Sequence, residues 1–152
     1  MCERERGGIF VWNIFSELKV VILELAPVAG DVKPSSDTPL HWLVLVQAAT
    51  KFQWSKPPKV CFHGHGWSSD EDALALRAPI SSEATLFSTP ADYFALCRLL
   101  REHPYPQHRL FIRRGHGFLL LADSISDAMT DLDGLWKAHP PQQSPGQGTV
   151  NH

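Results

Sequence analysis

The sequence predicts an α/β domain, and three features of the chain carry that expectation. Short runs rich in Val, Ile, Leu and Phe recur between turn-forming residues, as strands do. Thr89-Pro90 opens a stretch with apolar residues at helical spacing. Ile125, Ala128, Met129, Leu132, Leu135 and Trp136 trace one face of a further helix. With 152 residues, 43% of them hydrophobic, there is enough apolar material to close one core.

Taken in order, Ile9 to Trp12 and Lys19 to Ala26 read as strands, the second ended by Pro27, Gly30 and Asp31. Thr38-Pro39 sets a capping hydroxyl before a proline suited to a first helical turn, so Leu40 to Ala49 reads as a buried helix. The run Trp42-Leu43-Val44-Leu45-Val46 suits a strand equally well, and periodicity leaves both readings open. After the loop Lys56 to Lys59, Val60-Cys61-Phe62 forms a short strand that runs into His63-Gly64-His65-Gly66. The helix from Pro90 presents Tyr93, Leu96, Cys97 and Leu100 on one side and must stop near Pro104. Leu110 to Arg113 and Phe118 to Ala122 are strand-like, joined through Gly115-His116-Gly117. Asp123 or Ser124 caps the last helix. The segment 139–152 is rich in Pro, Gln, Gly and Ser and is expected to be a disordered tail, its His139 and His152 set aside as ligands. The organisation is therefore a domain over 1–138 followed by that tail.

Composition narrows the function classes. The 14 basic and 16 acidic residues leave a formal charge of -2, which draws the chain neither to nucleic acid nor to anionic lipid. Cys2, Cys61 and Cys97 fit neither a disulfide framework nor a Cys-x-x-Cys knuckle and read as reduced structural thiols. The N-terminus lacks a basic-then-apolar signal pattern, and no apolar run approaches the roughly 18 residues of a membrane span. A soluble cytoplasmic protein is expected.

The chemistry concentrates in the histidines, of which there are eight. His63 and His65 stand two apart at a strand end, so their imidazoles project to one side and can grip one ion. His116, between two glycines, can supply a third nitrogen from another strand and leave a coordination position open, as catalytic zinc requires. Gly64, Gly66, Gly115 and Gly117 let backbone or substrate come close. Glu71, Asp72 and Glu83 are further carboxylates near this region, expected to be solvated surface groups, and Arg113 and Arg114 are expected to be solvated at their strand end.

Three stretches in this order resemble the class II aldolase/adducin family: Lys33-Pro34-Ser35-Ser36-Asp37-Thr38-Pro39-Leu40-His41, Val60-Cys61-Phe62-His63-Gly64-His65, and Phe111-Ile112-Arg113-Arg114-Gly115-His116-Gly117-Phe118 with the helix that follows. The likeness spans about Gly30 to Trp136. It implies a three-layer class II aldolase-like domain, a central mainly antiparallel sheet flanked by helices. It also implies a divalent metal, most simply zinc, on His63, His65 and His116, with a substrate phosphate on Ser35 and Ser36 and acid/base work at Asp37. The activity implied is lyase chemistry on a small phosphorylated sugar, an aldol cleavage through a metal-stabilised enediolate, in a homo-oligomer, by resemblance a tetramer.

Two features depart from the family pattern. Asp37 stands where the family has glutamate, one methylene longer, and proton transfer depends on reach. About 30 residues precede the Pro34-Ser35-Ser36 segment, where the family has a longer part with a Gly-Asn phosphate loop that Gly7 and Gly8 replace poorly. Ketose-phosphate dehydration in the same family is an alternative, as is a non-catalytic adducin-like interaction domain. A cupin-type metal barrel, suggested by His63, His65 and Glu71, is disfavoured by the helices after Thr89 and Asp123.

Overall fold

The computed structural model describes residues 2–5, 9–15, 18–23, 37–86 and 89–141. The chain divides into two compact units whose boundary falls at the start of the first helix, Met1–Thr38 and Pro39–His152.

In the first unit, strands β1 (Cys2–Glu5), β2 (Ile9–Phe15) and β3 (Leu18–Leu23) form an antiparallel sheet in the order β1-β2-β3. The register sets Cys2 opposite Trp12 and Ile9 opposite Leu23. β2 and β3 match the two strands read from the sequence, β1 extends them, and residues 24–36 lie outside the described residues.

The second unit opens with an almost continuous helical stretch. It consists of α1 (Thr38–Trp42), a π-helical segment (Leu43–Gln47) and α2 (Ala48–Lys51). The helical reading of the Trp-Leu-Val-Leu-Val run therefore holds over the strand reading. Leu40, Trp42, Leu43, Val44 and Ala48 are all buried.

A second sheet has the order β4-β6-β5, all antiparallel, from β4 (Val60–Gly64), β5 (Leu110–Arg113) and β6 (Gly117–Ala122). Helices α3 (Asp70–Leu76), α4 (Pro90–Glu102) and α5 (Ile125–Ala138) complete the unit. Strand alternation splits the core into two halves. Phe111, Leu119 and Leu121 pack with Leu40, Leu43 and Val44 and with Leu96, Leu99 and Leu100 of α4. Leu110, Ile112, Phe118 and Leu120 pack with Trp67, Ala73 of α3, and Leu132 and Leu135 of α5. Helices thus cover both faces, which is why the central strand β6 reads as an unbroken apolar run, Phe118-Leu119-Leu120-Leu121-Ala122.

The last two helices start where the sequence places them. Thr89 accepts from Asp92 N ahead of Pro90, and Ser124 accepts from Asp127 N. On α5, Ala128 is buried and Leu132 and Leu135 are packed, while Ile125, Met129 and Trp136 of the expected face stay exposed.

Two expectations require correction. Arg113 is not solvated: at 3% exposure it forms an ion pair with Asp92, also 3% exposed, joining the end of β5 to the first turn of α4. Asp72 is not a surface carboxylate either. It is the third residue of a reciprocal capping box with Ser69 at the start of α3, and His139 Nε2 lies 2.9 Å from its Oδ1. His139 also closes α5, and its carbonyl accepts from Trp67 Nε1 at 3.0 Å, while residues 142–152 lie outside the described residues.

Candidate metal centre

β4 delivers His63 at its fourth position, exposed, and His65 directly beyond its last residue. The antiparallel register pairs His63 with Leu119 and Gly64 with Phe118. Following that pairing outward brings His65 beside the turn between β5 and β6, which carries His116. The approach needs glycine at 117, where a Cβ would stand 2.1 Å from Gly64 O. Gly115, with φ +72, makes the left-handed step of the same turn.

The turn is pinned from several sides. Gly115 N donates to Ser68 O at 2.7 Å, and His116 N donates to Arg113 O at 2.9 Å. Arg114 donates from its backbone N to Ser81 Oγ at 2.9 Å and from Nε to Ser81 O at 3.0 Å, and its guanidinium pairs with Asp70. The Arg113–Asp92 pair anchors the preceding residue. The residues leading up to His116 are therefore held by contacts that do not involve the imidazole, which is how a ligand position is kept rigid.

Four imidazoles follow one another in space. The His41 and His63 rings lie 5.0 Å apart between centroids, those of His63 and His65 5.6 Å, and those of His65 and His116 5.0 Å. His41 Nε2 is 3.0 Å from His63 Nδ1. Of these, His63, His65 and His116 are the three the sequence singles out. The sequence does not single out His41, a histidine inside an otherwise apolar helical run.

Asp37 is buried, in the turn that leads into α1. The imidazoles of His63, His65 and His116 offer nitrogen donors of the kind that zinc or cobalt accepts. Ser35 and Ser36 lie outside the described residues. Of the other carboxylates, Glu83 pairs with Arg98 at 2.5 Å, and Asp72 is committed to its cap.

Burial pushes the Cys61 thiol up to about 12, and the Arg113 charge only partly opposes that rise. Among the described residues no helix is long and apolar enough to cross a membrane. No family model, curated protein or solved structure matches the chain.

Proposed function

We propose that the histidine row holds a divalent metal ion and that the chain is a metal-dependent lyase acting on a small phosphorylated sugar. The observation behind this reading is the sequence of ring contacts that links His63, His65 and His116, two from one strand end and one from a pinned turn. A helix-covered antiparallel sheet is compatible with the three-layer class II aldolase-like arrangement, which we adopt with the likeness of the three motifs.

In this reading His63, His65 and His116 hold the ion and Asp37 moves the proton. Ser35 and Ser36 bind the substrate phosphate. A bound divalent ion supplies Lewis acidity towards adjacent hydroxyl and carbonyl oxygens of a ketose phosphate. Because Asp37 is buried, its carboxylate acts away from bulk water, where a charge-bearing group has most effect on a substrate. Its short side chain demands that the substrate carbon sit close to the ion. By the same resemblance the working form is a homo-oligomer.

The test is a screen of ketose phosphates with metal-loaded protein, followed by release of the aldehyde product. Turnover that stops with EDTA and falls at least about 100-fold in Asp37→Asn is expected. Metal-loaded protein that turns over none of them would leave a non-catalytic, adducin-like binding module as the better account. Water loss without carbon–carbon cleavage would point to the dehydratase alternative.

A further inference from the structure

We infer that His41 is a positioning residue that selects the tautomer of His63, an inference that rests on the metal-site reading above. An imidazole has two nitrogens, and an ion takes the one that carries no proton. His63 Nδ1 lies 3.0 Å from His41 Nε2, within hydrogen-bonding distance. One member of that pair carries the hydrogen. If it is His63 Nδ1, then His63 Nε2 is deprotonated and presents its lone pair to the ion. His41 Nε2 is then the acceptor and keeps its own hydrogen on Nδ1.

The helix gives His41 the rigidity this task requires. It sits on α1 between Leu40 and Trp42, 3% and 6% exposed, with Leu43 and Val44 fully buried just beyond. Those side chains fix the α1 backbone against the core, so the imidazole reaches His63 from a platform that is already paid for in packing. His63, by contrast, stands exposed at its strand end. The rings meet edge-on, 68° between planes, so their faces are not stacked. Metal-bound histidines commonly have such a partner on their second nitrogen, usually a carboxylate or carbonyl, and its loss typically weakens metal binding 10- to 100-fold. Here the partner is a second imidazole.

The experiment uses the full chain and cobalt(II) as the probe. Wild type is expected to take up cobalt with visible bands of a nitrogen-rich site. His41→Phe keeps the ring and removes both nitrogens. It should still bind one cobalt, with affinity lowered about 10- to 100-fold and bands shifted. His41→Gln retains a hydrogen-bonding group and should recover most of the loss. His41→Phe matching wild type in affinity and spectrum would overturn the inference. So would complete loss of uptake in a His41→Phe protein with wild-type melting, because His41 would then be a ligand. A measurement on wild type alone is independent of how variants fold: in the zinc-loaded protein, imidazole nitrogen NMR should show His63 protonated at Nδ1. The opposite tautomer would refute the positioning role while leaving the metal site standing. Failure of wild type to take up cobalt or zinc would instead remove the metal site itself.

Discussion

Gly117→Ala and Gly134→Ala add the same methyl group to the same unit and should move its stability in opposite directions. At Gly117 the new carbon would stand 2.1 Å from Gly64 O, 3.0 Å from Gly64 C and 3.0 Å from His65 Cα. All three are backbone atoms, so no rotamer change relieves the clash. β4 and β6 must part by about 1 Å at this end, which strains the strand ladder and costs on the order of 3 kcal/mol from overpacking and weakened hydrogen bonds. The same displacement carries His65 away from His116, and ligand positions tolerate only about 0.5 Å of error, so metal retention should fall at least about tenfold. Gly134 lies inside α5 with nothing within 4 Å of an added Cβ. It lines an open groove of about 350 Å³ together with Arg109, Leu110 and Leu120. Alanine there restricts the unfolded chain and suits the helix, giving about 0.5 to 1 kcal/mol of added stability. Urea unfolding followed by far-UV circular dichroism, with the slope m compared between variants, measures both. Gly117→Ala within 1 kcal/mol of wild type would refute the close approach of β4 and β6, on which the placement of His65 beside His116 depends.

Three further outcomes are expected. Burial acts to raise the Asp72 carboxyl, but hydrogen bonds from the Ser69 side chain, Ser68 N, His139 and Ser69 N outweigh it and hold the group at about 2, below its ordinary 3.8. Its folded value being depressed, Asp72 contributes roughly 2 kcal/mol that is present above pH 4 and lost as the pH falls towards 2. Thermal melts from pH 7 to 2 should therefore fall more steeply for wild type than for Asp72→Asn, and parallel curves would contradict the cap. Arg113→Met removes a guanidinium from a buried carboxylate and should cost about 3 to 5 kcal/mol, with Arg113→Met/Asp92→Asn recovering part of it. Equal stability of the single and double variants in urea would show that the pair is not coupled. Cys61, held at about 12 by burial, should resist iodoacetamide in native protein at pH 8 and react once urea unfolds the chain, as mass spectrometry of the alkylated peptide would report.

Local signals and long-range ones differed in how well they could be read from the sequence. Helix α4 was visible because Thr89-Pro90 caps it and Pro104 stops it, and α5 because six apolar residues keep helical spacing over more than two turns. The stretch from Leu40 stayed ambiguous since its apolar residues are contiguous, and only packing on both sides decides such a run. Helix α3 went unread: seven residues are too few to show a period, and its capping box uses aspartate in place of the usual glutamate or glutamine. Arg113 with Asp92 and Asp72 with His139 were missed for a different reason. Each pair joins residues far apart in the chain, and nothing local distinguishes a charge that will be buried from one that will be solvated. For the site, the His-x-His spacing and the glycine-flanked His116 were legible. The partnership of His41 with His63 was not, because it depends on how α1 meets the end of β4.

The most direct test is the metal content of protein purified without a histidine tag, beside a His63→Ala/His116→Ala variant. About one zinc, cobalt or manganese ion per chain in wild type, absent from the double variant, is the predicted result. Wild type that carries no metal and takes up none of these ions on addition would contradict the account at its centre.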